Sequence, residues 1–271
     1  MISIVINTDT RPGVESEVTR FTGMNDGCRN FDFLIEGVIN KQKFFSGFET
    51  ETILHVDVHQ EIPPSIRGEL DRLVDCLVIR KHSRHFMGAD PFTMFNDINY
   101  LNALSLARGE YVAHFDSDCA AFARDKSVVD RLIGLLDGYK YVSYPSDCSP
   151  TPVVDPSFDH WWVSTRFFLC RKESLDITEL EKCIRNSDYM WDKYGHKKRK
   201  CPWLEHCLGI ISDSSVIYPP RDLSNLAIFC WDRYTKGVLG KLNNMDFEWV
   251  SAYISSCGGV HYPCDVSAKP L

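Results

Sequence analysis

Hydrophobic positions along the chain fall into two textures that alternate. Ile2 to Asn7, Thr52 to Val58, Cys76 to Lys81 and Tyr111 to Phe115 are short apolar runs rich in β-branched and aromatic residues, and each predicts a strand. Thr8-Asp9-Thr10-Arg11-Pro12-Gly13 reads as the polar turn after the first of them. The connections between the runs are of helix length. In one of them Phe92, Phe95, Ile98, Leu101 and Leu104 recur at steps of three, which predicts an amphipathic helix closed by Gly109. Strands alternating with helices predict βαβ units and a mostly parallel sheet.

The second half is less regular. Lys126 to Asp137 predicts a helix with Val129, Leu132, Ile133 and Leu136 on one face and Gly138 as its stop, and Tyr139 to Tyr144 predicts a strand. Pro145 to Asp159 holds four prolines and little periodicity, so it reads as a long loop between two halves. A strand is expected over Trp161 to Arg171, then a helix near Asp176 to Asn186, a basic loop and a helix opening at Pro202. A strand at Val216 to Tyr218 and a last helix near Asp246 to Ser256 follow.

At 271 residues and 44% hydrophobic content the chain can bury a large core, as one domain or two packed together. A net charge of -7 argues against a surface that grips polyanions all over. His196-Lys197-Lys198-Arg199-Lys200 is the strong basic cluster, either a solvated loop or a local contact to phosphates. No run approaches the roughly 18 apolar residues of a membrane-spanning helix. The amino terminus enters a strand pattern without a basic leader, so a soluble, cytoplasmic protein is expected. Eleven scattered cysteines suggest reduced thiols, and Cys257, His261 and Cys264 with Cys201, His206 and Cys207 lack the spacing of a zinc ribbon or finger.

Candidate chemistry concentrates at Asp116-Ser117-Asp118, directly after the run Tyr111 to Phe115. On extended backbone, residues two apart point the same way, so both carboxylates can reach one hard metal ion or a metal-bound diphosphate. The carboxyl end of a strand is also where open α/β sheets place their ligands.

Four pieces together, Ile2 to Thr8, His55-Val56-Asp57-Val58, Ala107-Arg108-Gly109-Glu110-Tyr111 and Asp116-Ser117-Asp118, resemble the GT-A class of nucleotide-sugar glycosyltransferases, most of all the inverting family 2. They span roughly the first 120 residues. The resemblance implies an α/β fold of GT-A (Rossmann-like) type: a mostly parallel central sheet flanked by helices, with a smaller acceptor-side half. Residues 1–145 would form the nucleotide-sugar-binding half and 146–271 the acceptor-binding half, packed as one domain. It further implies that Asp57 hydrogen-bonds the base, Thr8 lines the nucleotide cleft, and Asp116 faces the ribose or the metal and its water. Asp118 would bind Mn²⁺ or Mg²⁺ directly, with His261 as a further ligand. Glu205, within Trp203-Leu204-Glu205-His206-Cys207, stands where such enzymes keep their base, with His206 in place of the usual second acid.

The implied activity is transfer of a sugar from a nucleoside-diphosphate donor, with UDP the expected carrier, to an acceptor hydroxyl, with inversion if Glu205 is the base and retention left open. A glycan, a lipid-linked sugar, a protein or a hydroxylated nucleic-acid base presents such a hydroxyl. Trp161, Trp162 and Trp203 would offer flat faces to sugar or base. Two other readings stay open. A nucleotidyltransferase uses a related fold but wants a Gly-rich basic loop after the first strand, where this chain has one glycine. A non-catalytic nucleotide-sugar-binding protein needs only the fold.

Overall fold

The computed structural model describes residues 1–10, 31–58, 61–81, 98–117, 119–143, 163–194, 204–213, 215–217, 226–230 and 238–256. Seven strands form one sheet: β1 (Ile2–Thr10), β2 (Thr50–Val58), β3 (Cys76–Lys81), β4 (Tyr111–Asp116), β6 (Tyr141–Ser143), β7 (Phe167–Arg171) and β8 (Val216–Ile217). Their order is β3-β2-β1-β4-β7-β6-β8, and β5 (Cys119–Ala123) pairs with β9 (Leu226–Cys230) in a separate antiparallel ribbon. Within the seven-stranded sheet only β7 runs against its neighbours. The mostly parallel central sheet expected from the sequence is therefore present.

Side-chain alternation builds the layers. Ile2, Ile4 and Ile6 of β1 join Leu54, Val56, Phe115, Phe167 and Leu169 on one face. Val5 joins Ile53, Val112 and Phe168 on the other. A sheet apolar on both faces needs cover on both. The first face is covered by α1 (Phe31–Phe44), through Leu34 and Val38, and by α4 (Lys126–Gly134), through Val129 and Leu132. The second is covered by α3 (98–105), α5 (Ile177–Arg185), α6 (Ser187–Tyr194) and α7 (Leu204–Ile211). Three further helices are α2 (Pro64–Leu73), α8 (Val238–Leu242) and α9 (Phe247–Ser256). No described helix is long and apolar enough to cross a membrane.

Several boundaries differ from the sequence expectation, each for a tertiary reason. β1 does not stop at Asn7: its ladder with β2 continues through Thr8↔Val56, Asp9↔Asp57 and Thr10↔Val58, so polar residues stay extended because a partner strand runs beside them. The regular helix α3 ends at 105, before Gly109. Gly109 is not a left-handed helix stop, since Gly47 is the one described glycine with positive φ. A Cβ at Gly109 would lie 2.7 Å from the Ser3 nitrogen and 2.9 Å from the Met1 carbonyl, so this glycine permits a close crossing of chains. β7 starts at Phe167 rather than Trp161, because the amides of 163–165 bond instead to Ser143 and Glu205. The loop over 145–159 and the basic run 196–200 lie outside the described residues, as do Trp161, Trp162 and Trp203. Cys76, Cys119, Cys170, Cys183 and Cys207 are free thiols.

Candidate active site

The chain runs from β1 to β2 and β3 on one side and then returns to β4 on the other, so the carboxyl ends of β1 and β4 flank a point where the strand order reverses. At such a point the helical connections diverge to opposite faces and leave a crevice. Asp116 ends β4 there, in register with Asn7. Pairing continues one residue further: the Ser117 amide donates to the Asn7 carbonyl at 2.9 Å, and the Ser117 hydroxyl donates to Thr8 Oγ1 at 2.8 Å. Thr8 is thus buried, with its hydroxyl joined to that of Ser117.

Two hydroxyls orient the partly exposed Asp116. Tyr100 of α3 donates to Oδ1 at 3.1 Å, and Thr165 Oγ1 lies 3.4 Å from Oδ2. Hydroxyl donors fix a carboxylate's direction while leaving its negative charge intact, which suits an oxygen-seeking cation. Thr165 is also where the acceptor-side candidate arrives. Glu205, in the first turn of α7, accepts at Oε1 from the Thr165 amide at 2.9 Å and from the Thr165 hydroxyl at 3.1 Å. One threonine therefore touches both carboxylates, although 89 positions separate Asp116 from Glu205 in the chain. Oε2 of Glu205 takes no hydrogen bond from a described residue.

The two flanking environments differ in polarity. Burial pushes the Glu205 carboxyl above its ordinary range, and the Thr165 amide, the Arg166 charge and the Thr165 hydroxyl offset this only in part. A carboxyl so placed is a stronger proton acceptor than one in water. His114, on β4 below the site, is fully buried between Tyr100 and Phe168 and receives a hydrogen bond from Asn7 Nδ2 at 2.8 Å. Burial lowers its pKa to about 3 despite the Thr165 backbone, so it stays neutral and serves as packing.

Of the other sequence candidates, the backbone of Asp57 sits in β2 facing Asp9 across the ladder, and its side chain is not described. Asp118 and His261 lie outside the described residues. His206 and Cys207, considered for zinc, are buried on α7, and no group of three metal-ligating side chains occurs among the described residues. Tyr100 and Thr165 went unnoticed in the sequence. A tyrosine inside an apolar helical stripe and a threonine before a strand carry no local mark of a site, since only the fold brings their hydroxyls to a carboxylate.

No protein-family model and no curated protein matches the chain. Solved structures resemble it weakly. A galactosyltransferase, LgtC, crystallised with donor and acceptor sugar analogs, has a TM-score of 0.46 and 10% identity over 80% of this chain and 73% of its own. Core-mannan synthase A from Aspergillus fumigatus, in a Mn/GDP form, has a TM-score of 0.46 and 8% identity over 95% of this chain and 85% of its own. A putative glucose-1-phosphate thymidylyltransferase from Bacillus anthracis has a TM-score of 0.45 and 8% identity over 92% and 96%. At that level of likeness nothing about chemistry passes to this chain.

Proposed function

We propose that the chain is a metal-dependent glycosyltransferase that moves a sugar from a nucleoside diphosphate, UDP in the first instance, to an acceptor hydroxyl with inversion. The observation that carries this reading is the Asp116–Thr165–Glu205 arrangement at the carboxyl ends of β1 and β4: a charged carboxylate and a proton-seeking carboxyl share one threonine hydroxyl. Oxygen donors of this kind fit a hard divalent cation, Mn²⁺ or Mg²⁺, and Asp116, Asp118 and His261 would hold it. Such a cation supplies neutralisation of the diphosphate as the bond to the sugar breaks.

The chain's own residues do the rest. Asp57 and Thr8 belong to the nucleotide side, within residues 1–145, and the acceptor enters over 146–271. Glu205 Oε2 takes the proton of the acceptor hydroxyl, whose oxygen bonds to the anomeric carbon as the nucleoside diphosphate leaves from the opposite face. The Thr165 amide and hydroxyl hold Oε1 so that Oε2 keeps a fixed direction.

A panel of nucleotide sugars, tested by thermal shift with and without Mn²⁺, checks the donor side, since a ligand bound only by the native state raises the melting temperature. The expected result is a Mn²⁺-dependent rise with a UDP-sugar, followed by slow donor hydrolysis. Glu205→Gln should keep that shift and lower transfer by about a thousandfold. Pyrophosphate release from a nucleoside triphosphate would replace this reading with nucleotidyl transfer, and binding with no release of sugar or pyrophosphate would leave a binder.

A further inference from the structure

Helix α1 sends two consecutive polar side chains into the core, and both end on the backbone of the segment that follows β4. Lys41 is fully buried, and its Nζ donates to the carbonyl of Ser117 at 3.2 Å and to the carbonyl of Cys119. Asn40, 1% exposed, accepts the Ala121 amide through Oδ1 at 2.8 Å and donates through Nδ2 to Asn243 Oδ1 at 2.9 Å. The ammonium also sits 5.9 Å from the centre of the Phe115 ring. Gly37, one turn earlier, makes room: a Cβ there would lie 3.3 Å from Lys41 Nζ and 3.4 Å from the Ser117 carbonyl.

Lysine is almost never fully buried without a specific reason, and core packing alone would be met by methionine or leucine. Here the ammonium meets the carbonyls on either side of position 118 in the sequence, one in the turn out of Asp116 and the other at the start of β5. Carbonyl–ammonium bonds buried away from water are hard to exchange, so they hold backbone direction better than a solvated turn does.

We propose that Lys41 is a positioning residue that fixes the backbone turn out of Asp116, at Ser117 and Cys119, for cation and diphosphate binding. This rests on reading that turn as the donor-side cation site. It assigns to the core face of α1 a functional role that neither composition nor strand pattern suggests. Lys41 acts through the backbone of 117 and 119 and touches neither donor nor acceptor.

The test is calorimetric titration of UDP in the presence of Mn²⁺ into wild type, Lys41→Met, Gly37→Ala and Val38→Ala. Val38 is buried on the same helix and packs in the apolar cluster, so its truncation controls for loss of stability alone. Lys41→Met is expected to weaken Mn²⁺-dependent UDP binding tenfold or more. Gly37→Ala, which presses a methyl against the clamp while keeping the charge, should weaken it about threefold. Val38→Ala should lower the melting temperature and leave affinity unchanged. Wild-type affinity in both Lys41→Met and Gly37→Ala would overturn the proposal while leaving the donor site standing. Equal weakening in Val38→Ala would also overturn it, as a stability effect. No Mn²⁺-dependent UDP binding by wild type would remove the donor site itself and Lys41's role with it. Should Lys41→Met fail to fold, Gly37→Ala against Val38→Ala decides the matter.

Discussion

At the amino ends of β1, β2 and β4 a buried carboxylate is closed in by its neighbours, whereas at the carboxyl ends of the same strands Asp116 is held by hydroxyls beside a crevice. Glu51, 3% exposed, accepts from Ser3 Oγ at 2.5 Å, from the Arg108 amide at 2.5 Å, from Arg108 Nε at 2.6 Å and from the Gly109 amide at 3.2 Å. Burial alone would raise its pKa, but the hydrogen bonds from Ser3 and Arg108 outweigh burial and hold it below the usual range. A cleft of about 610 Å³ at this end is lined by Arg108, Glu110, Arg171 and Lys172, and both arginines are already in ion pairs. The contrast separates two uses of one chemical group. A carboxylate tied to a guanidinium and three further donors fastens strands together, and one at the crevice takes its direction from the hydroxyls of Tyr100 and Thr165.

The largest effect that would break this contrast is on Asp116. Asp116→Asn keeps the shape and one acceptor oxygen for Tyr100, and its amide can donate to Thr165 Oγ1, so unfolding free energy should stay within about 1 kcal/mol of wild type. Transfer should fall by about a thousandfold, equivalent to roughly 4 kcal/mol of barrier. Steady-state kinetics and urea unfolding on one preparation read both numbers. An active but unstable variant would make Asp116 a second Glu51.

Next in size is Gly109→Ala, which acts at the closed end alone. The added methyl would meet Ser3 nitrogen at 2.7 Å, Ser3 Oγ at 2.8 Å and the Met1 carbonyl at 2.9 Å, none of them the tip of a long side chain that can swing away. A loss of about 3 kcal/mol in stability is expected, with UDP affinity of the folded fraction unchanged. If the variant unfolds no more easily than wild type, the amino ends are looser than the structure indicates.

How much of this was open to a reader of the sequence depends on whether the cause was local. β3 can be bounded from composition alone, at Cys76–Lys81, and α5 has its Asp176 cap in place, donated to by the Glu179 amide at 2.9 Å. Such features rest on β-branched runs and on an aspartate before an apolar period. The segment Arg108-Gly109 counted as part of a functional resemblance, and the fold shows it fastening Glu51. Helix α1 read only as helix-length spacing, because Asn40 and Lys41 break its apolar stripe at positions that are in fact buried. Thr165 was invisible for the same reason: a hydroxyl becomes informative only when two carboxylates from distant elements reach it.

Glu51→Gln gives the smallest of the three effects and sharpens the comparison through its dependence on pH. The amide keeps the shape but loses the charge, so hydrogen bonds assisted by that charge weaken, for a loss of about 2 kcal/mol at pH 7. In wild type the carboxyl titrates below its ordinary value of 4.5 when folded and near that value when unfolded. Below 4.5 the unfolded chain therefore binds more protons, and the contribution of Glu51, complete above 4.5, disappears as acidity passes through the folded value. The gap in unfolding free energy between wild type and Glu51→Gln should be constant from pH 7 to 5 and close below 4.5. His114 cannot mimic this, because its neutral ring titrates between 6.5 and about 3 in both proteins and its slope cancels in the difference. A gap that stays open in acid would mean that the glutamate holds the strands by shape and not by charge, and the distinction between the two ends of the sheet would then rest on Asp116 alone.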